Sequence, residues 1–353
     1  MRICIDARGM SERPTGSGKA LRYLLGRLRA DFPHHQYLTC EPPGASSWRL
    51  SRQLLWEQVE LPLRALRLGA DVLHVCGGTP GPMVTPTKTV MTVHDLAPTR
   101  HPELLPHARS RWYWGHMVPR AARRAHAVLV PSAATKRDVV ALAGVPEARV
   151  HVAPWGVPLE TAGAATADDV RATYGLPCRY VLYVGTIDRR KDYRTLLGAV
   201  GQLDPAIDLV VAGTVIAGRT DFPETVARLG LERRVRVLGY VPDRDLPGLY
   251  RGASVFVYPS FYEGFGFPVL EAMACGTPVI TYRTTSLPEV AGDAAILLDP
   301  PVSSEALASA IARVTRDADL RGSLVERGLA RVATFDWKST AAVTAGVYEA
   351  LAG

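Results

Sequence analysis

The chain has 353 residues, too long for one compact domain of ordinary size and suited to two of roughly 150 each. Hydrophobic residues make up 47% and charged residues 21%, which excludes a disordered chain, and no run of about 18 uncharged apolar residues is present to span a bilayer. The net charge of +7 is concentrated: residues 1–165 hold 21 Lys and Arg against 12 Asp and Glu, and all nine His. That asymmetry points to an anionic partner. No nucleic-acid motif accompanies it, so the expected partners are a phosphate-bearing substrate or an anionic membrane surface; an Arg-rich solvated surface accounts for the same count.

The N-terminus, MRICIDARG, reaches Asp6 and Arg8 without an apolar leader core, so a cytoplasmic chain is expected. Five scattered cysteines with no CxxC fit reduced thiols and no structural zinc. Short apolar runs then alternate with helical patterns. The first set is 2–6, 71–75, 89–95, 127–132 and 150–154, and the second is 180–185, 208–213, 235–240, 255–260, 278–282 and 294–299. Nearly continuous apolar runs are how strands buried on both faces read, and this rhythm predicts βαβ units and parallel sheets. Residues 155–168, rich in Gly, Ala and Thr, read as a linker between two doubly wound domains.

After the first strand, Thr15-Gly16-Ser17-Gly18-Lys19 leads into a helix predicted over 20–29. A Gly-rich turn at a helix N-terminus is an anion site, or a plain turn. Arg13 and Ala20 break the P-loop pattern, and Leu21 breaks the dinucleotide GxGxxG. The third strand of the first set ends in Val93-His94-Asp95, which places His94 at a carboxyl end, to touch a substrate or to make a structural hydrogen bond. The run 106–124 carries five arginines and Trp112-Tyr113-Trp114. It reads as a membrane-interface helix or an ordinary domain helix, and Pro119 favours the second.

In the second set, strand 180–185 runs into Thr186-Ile187-Asp188-Arg189-Arg190-Lys191. Three cations at a carboxyl end suit a diphosphate, or form a solvated charge run. Residues 262–280 (YEGFGFPVLEAMACGTPVI) place a helix between Pro268 and Gly276. Glu263 falls in the loop before it and Glu271 in its first turn or just beyond. Gly264 and Gly266 allow close backbone approach at the helix N-terminus. Two carboxylates to grip hydroxyls, beside a helix end to hold phosphate, describe a nucleotide-sugar site.

This segment resembles the E-x7-E signature of the retaining, GT-B-fold glycosyltransferases of family 4 (glycosyl transferases group 1). Residues 184–197 resemble that family's Arg-Lys diphosphate segment, 238–243 its base-facing loop, and 286–300 its closing strand. Thr15–Gly18, Val93–Asp95, 131–139 and 152–157 resemble landmarks of its N-terminal half. The resemblance implies an α/β, GT-B architecture of two Rossmann-like, doubly wound parallel-sheet domains facing a cleft. An acceptor-side domain would span 1–165, a nucleotide-sugar domain 166–330, and a helix over 331–353 would pack back on the first.

It also implies roles. Glu271 would hold the ribose and Glu263 the donor sugar. Gly264, Phe265 and Gly266 would lie near sugar and phosphate. Arg190 and Lys191, with Thr186, would bind the diphosphate, which Gly16 and Gly18 approach from the other domain. Val241 would meet the base, and His94 the transferred sugar. Thr186 stands where many members carry Arg, and Arg189 replaces a frequent Pro. The expected activity is retaining transfer of a hexose, first GDP-mannose, to a glycan, lipid-linked or small-molecule acceptor, with no metal or other cofactor. Oligomeric state is not legible. A nucleotide-sugar epimerase or an inactive binding protein is the alternative.

Overall fold

The computed structural model describes residues 1–10, 16–42, 50–76, 79–105, 107–160, 163–216 and 220–352. Arg13, Thr15, Pro106 and residues 161–162, used in the sequence reading, lie outside them. The chain divides into two compact units, Met1–Pro158 with Phe335–Gly353, and Leu159–Thr334. Each unit is built on one six-stranded parallel sheet.

In unit 1 the strands are β1 (Arg2–Asp6), β2 (Gln36–Cys40), β3 (Val72–Val75), β4 (Lys88–Thr92), β5 (Ala127–Val130) and β6 (Val150–Val152), in the order β2-β1-β3-β4-β5-β6. β3 and β5 are buried along their whole length, as their unbroken apolar runs require. The strand absent from the sequence reading is β2. It lies at the sheet edge, and only Tyr37 and Cys40 of its five residues are buried, so it forms no apolar run.

Unit 2 holds β7 (Tyr180–Val184), β8 (Asp208–Ala212), β9 (Val235–Gly239), β10 (Val255–Tyr258), β11 (Val279–Tyr282) and β12 (Ala295–Leu298), in the order β12-β11-β10-β7-β8-β9. From β7 the chain moves outward through β8 to β9, then returns to the other side of β7 with β10. The carboxyl ends of β7 and β10 therefore flank the point where strand order reverses, the place where open parallel sheets hold ligands. In unit 1 the corresponding reversal lies between β1 and β3.

Three boundaries differ from the sequence expectation. The first helix starts at Gly16, not residue 20, so Gly16–Lys19 forms its opening turn. Residues 167–168 are helical, because Thr166 caps the helix Ala167–Tyr174 and Asp169 returns the bond to the Thr166 backbone; a Thr-x-x-Asp capping box was overlooked in a stretch read as linker. Residues 155–157 belong to unit 1, where the C-terminal helix Trp337–Ala352 holds them. Trp337 Nε1 donates to the Val157 carbonyl at 3.1 Å and its ring stacks on Tyr23 of the first helix at 5.6 Å. Gly156 is obligatory at this crossing, since a Cβ there would sit 2.6 Å from the Trp337 ring. Among the described residues no helix is long and apolar enough to cross a membrane.

Candidate functional site

The site in unit 2 is assembled by two strand ends. After β7, Gly185 turns at φ +135. Asp188 caps the single 3-10 turn Arg189–Lys191, its side chain accepting from the Arg190 amide at 2.9 Å. This turn points its cations in different directions: Arg189 is exposed, Arg190 half-buried, and Lys191 only 5% exposed. The charge run is thus not a solvated face.

After β10 the chain crosses the same region. Ser260 is buried, and its Oγ donates to Glu263 at 2.6 Å. Lys191 Nζ donates to the Glu263 carboxylate and to the Tyr258 hydroxyl, and it lies 4.4 Å from the centre of the Tyr258 ring. Arg190 Nη1 donates to the Tyr262 carbonyl at 3.1 Å and stands 3.7 Å from the other Glu263 oxygen. Ser286, at the start of the helix Leu287–Ala291, donates to the carbonyls of Glu263 and Phe265 at 3.0 and 2.9 Å, which fixes the loop between them.

The electrostatics follow from this packing. Burial pushes the Glu263 carboxyl up, but Lys191 and Arg190 outweigh it and hold its pKa down at about 2. Burial depresses the Lys191 ammonium below the ordinary lysine value, and Arg190 adds to that, while Glu263 opposes. The arrangement is a buried carboxylate neutralised by two cations, which an incoming diphosphate can compete for.

Glu271 occupies the helix Phe267–Ala274, one turn beyond its start. Its Oε2 accepts from the Tyr250 hydroxyl at 2.8 Å, and both residues are buried. Pro268 is the second helical residue, and Gly266 caps the helix at φ +109, where a Cβ would come within 2.9 Å of Leu287. Gly264, Phe265 and Gly266 thus lie at the N-terminus of the helix that carries Glu271. Thr186 is exposed beside the β7 end, and Val241 is buried just past β9. The structure joins Arg190, Lys191 and Glu263 directly, and it sets Thr186 past β7 and Val241 past β9, two strands of the same sheet with β8 between them. A residue the sequence reading missed is Gly213, whose Cβ would fall 1.9 Å from the Gly185 carbonyl oxygen; only the pairing of β7 with β8 reveals that need.

In unit 1, Gly18 is buried and Gly16 exposed in the first turn of the helix Gly16–Asp31. Ser17 between them lines a cavity of about 20 Å³ with His94, Cys76, Thr92 and Trp155, enough for one water. The opening turn of the helix, through Ser17, and His94 thus face one small space, while Gly16 and Gly18 do not line it. His94 Nε2 lies 2.7 Å from the Cys76 carbonyl. A carbonyl only accepts, so Nε2 carries the proton and Nδ1 is the bare nitrogen. Nδ1 is buried with no hydrogen-bond partner among the described residues. Burial lowers the His94 pKa, which favours the neutral ring. A second cavity of about 170 Å³ is lined by His94, Asp95, Thr99 and Trp114, with Leu96, Pro98 and Val118.

A buried ion network that sequence reasoning did not find lies past β1. Arg8 donates to Asp6 at 2.6 Å and to Glu57 at 2.7 Å, and Tyr113 donates to Glu57. Burial, the largest influence, raises the Glu57 carboxyl to about 6 against the pull of Arg8 and Tyr113. The Asp-x-Arg spacing where the first strand ends was the available signal. Of metal-ligating types, His34, His35 and Glu349 bring three donor atoms within 4.8 Å of one another in unit 1.

Comparison with known proteins follows the same division. Residues 176–331 match the family described as Glycosyl transferases group 1, and residues 17–161 match Glycosyltransferase Family 4. O-antigen chain mannosyltransferase B of Escherichia coli is 35% identical over 272 residues, 75% of this chain and 71% of that protein. A D-inositol 3-phosphate glycosyltransferase of Corynebacterium jeikeium is 34% identical over 218 residues, 57% of this chain and 52% of the relative. Sucrose-phosphate synthase of Thermosynechococcus elongatus shares the fold, with a TM-score of 0.76 at 24% identity over 99% of each chain. Two Rossmann-like units, each matching its own half of one enzyme family, leave a single assignment: the chain is a glycosyltransferase of family 4, group 1, with the GT-B fold.

Proposed function

We propose that this glycosyltransferase transfers a hexose with retention of anomeric configuration, without a metal, and takes GDP-mannose as donor. The observation that carries the reading is the Lys191–Glu263–Arg190 cluster at the reversal point of the unit 2 sheet. Two cations held by a carboxylate are poised to exchange that partner for the diphosphate of a donor. They then neutralise the charge that grows on the leaving phosphate, the task a metal performs elsewhere. Released from Lys191, Glu263 accepts hydrogen bonds from the donor sugar's hydroxyls. Glu271, oriented by Tyr250, takes the ribose hydroxyls in the same way.

The acceptor hydroxyl attacks the anomeric carbon from the face the diphosphate leaves, and the departing phosphate oxygen takes its proton. No separate base is needed, so Glu263 and Glu271 are not a hydrolase acid–base pair. A neutral His94 suits contact with an uncharged sugar. The acceptor is a glycan, a lipid-linked glycan or a small molecule. The cavity lined by Asp95, Thr99 and Trp114 offers a carboxylate, a hydroxyl and an indole, the groups that suit a sugar ring. Mannose as the donor sugar is supported by the Escherichia coli relative, which is an O-antigen chain mannosyltransferase by name.

The test is thermal stabilisation by GDP, UDP, ADP and their sugars, with and without EDTA, followed by NMR assignment of the product anomer. A nucleotide at 100 times its Kd adds about 2.7 kcal/mol of stability. Selective stabilisation by GDP-mannose, unchanged by EDTA, with an α-linked product, is the expected result. Selective stabilisation by another nucleotide overturns the donor assignment, EDTA sensitivity overturns metal independence, and a β-linked product overturns retention.

A further inference from the structure

Two adjacent histidines and one glutamate meet where the beginning and the end of the chain come together in unit 1. His34 and His35 lie in the turn between the helix Gly16–Asp31 and β2. The backbone fixes that turn: the His35 amide donates to the Phe32 carbonyl at 3.2 Å, and the Gln36 amide to the Met1 carbonyl at 2.8 Å. Glu349 lies in the last turn of the helix Trp337–Ala352. Its neighbour Tyr348 is buried, with its hydroxyl 2.5 Å from His74 Nδ1. Both sides of the cluster are therefore anchored by contacts that the cluster itself does not supply.

The donor atoms converge. Nε2 of His35 is 3.1 Å, and Nε2 of His34 is 3.5 Å, from the same carboxylate oxygen, Glu349 Oε1. In a tetrahedral zinc site with bonds of about 2.0–2.1 Å, neighbouring ligand atoms stand about 3.3 Å apart. Two edges of the site already have that length. All three donor atoms lie within 4.8 Å of one another, so the third edge closes by about 1.5 Å at most when one ring swings inward. His34 is the ring able to swing, since its side chain is 60% exposed and that of His35 only 5%. The two rings are 4.0 Å apart and tilted by 59°, so their nitrogens can aim at one point.

Two imidazoles and a carboxylate are a zinc donor set, and the open side leaves room for water as the fourth ligand. Calcium and magnesium favour oxygen ligands. Hydrogen bonds from His35 and then His34 hold the Glu349 carboxyl below its ordinary range, so it is ionised as a ligand must be. Tyr37 is not a further ligand. Burial, then Glu349, pushes its phenol up to about 12, and its hydroxyl donates to the Phe32 carbonyl at 3.3 Å. Among the described residues no other three His, Cys, Asp or Glu side chains come together in this way. The sequence reading set structural zinc aside on its cysteines; His35 and Glu349 are 314 residues apart and leave no local pattern.

We propose that His34, His35 and Glu349 bind a zinc ion that clips the last helix to the turn before β2. Exposed polar contacts hold two elements together only weakly. A shared ion replaces them with three bonds that form only when unit 1 is folded. The site shares no residue with those assigned to the donor or the acceptor, so the inference is independent of the sugar-transfer reading.

The experiment takes the full chain, strips it with EDTA, desalts it, and titrates it with Zn2+ or Mg2+ by calorimetry and thermal melting. One Zn2+ per chain with a Kd of about 10 μM or tighter, and a raised melting midpoint, is expected, and Mg2+ should do neither. Glu349→Gln and His34→Ala alter exposed side chains. Both should melt like the stripped parent yet bind Zn2+ at least about tenfold more weakly. Co2+ in place of Zn2+ should give the visible d–d bands of four-coordinate cobalt with the parent and lose them with either variant. Zinc binding that both variants leave unchanged overturns the proposal, because the ion then sits elsewhere. Weaker binding than that marks an adventitious ion only and overturns it too, and tight binding with no rise in the midpoint overturns the clip. The increment that a nucleotide adds to the midpoint, measured in EDTA on the same preparations, reports separately on metal-independent transfer.

Discussion

Replacing Lys191 by Met keeps the length of the side chain and removes its charge. Lys191 is buried, and its ammonium donates to the Glu263 carboxylate and the Tyr258 hydroxyl. The variant leaves Glu263 buried, with the Tyr258 hydroxyl, Ser260 at 2.6 Å and Arg190 at 3.7 Å as support. A carboxyl brought from its ordinary 4.5 down to about 2 contributes about 3 kcal/mol of stability at neutral pH, and stranding one member of a buried pair costs a similar amount. Unit 2 is therefore expected to lose about 3 kcal/mol, which in a domain of its size lowers the melting midpoint by roughly 6–12 °C. The pH dependence has a definite sign. The folded pKa of Glu263 is depressed, so its stability is present above 4.5 and is lost as pH falls from 4.5 towards 2. Melts of the parent, Lys191→Met, Glu263→Gln and the double variant across that range provide the assay. The double variant should be more stable than Lys191→Met by about 2 kcal/mol, because no buried charge is stranded in it. If Lys191→Met melts within about a degree of the parent, or if the two single effects simply add, the buried ion pair is not what holds this turn.

Three further outcomes follow from other contacts. Glu57→Gln should remove a pH dependence of opposite sign: the raised carboxyl at about 6 stabilises unit 1 below 4.5 and loses that contribution as pH rises through 6, which pH-dependent melts will read. Tyr250→Phe removes the hydroxyl that orients Glu271; it should cost about 1–2 kcal/mol of stability and weaken nucleotide binding measured by calorimetry. Gly213→Ala brings a methyl against the Gly185 carbonyl oxygen, and its expression should yield unit 2 largely unfolded by circular dichroism and proteolysis, whereas Gly201→Ala, with nothing near its Cβ, should leave the melt unchanged.

Buried parallel strands were the most legible part of this molecule. β7, β8 and β10 read as apolar runs because both faces of their sheet are covered, and their positions agree with the sequence reading to within a residue or two. The edge strand β2 did not, since one side of it is wet and the apolar run breaks. Glu263, Glu271, Arg190 and Lys191 were found by residue type and spacing, but spacing could not distinguish a solvated run of cations from the observed turn. That distinction depends on which way Lys191 faces, and the direction is set by Asp188 capping a single 3-10 turn. The Arg8–Glu57–Tyr113 network escaped notice because its members are 49 and 56 residues apart, a separation that no local pattern records. Thr166 was misread for a simpler reason: its partner is Asp169, while the usual capping-box acid is Glu.

The return of the last helix to unit 1 makes unit 2 a contiguous insertion, entered once after Pro158 and left once before Phe335. During synthesis, the segment 159–334 is complete before residues 335–353 exist. Unit 1, begun first, therefore lacks the helix that covers Tyr23 and the Val157 carbonyl until all of unit 2 has been translated. The half translated first is the half finished last. For that interval it keeps an apolar groove open, and the same groove would be left permanently bare by any chain cut short before Trp337.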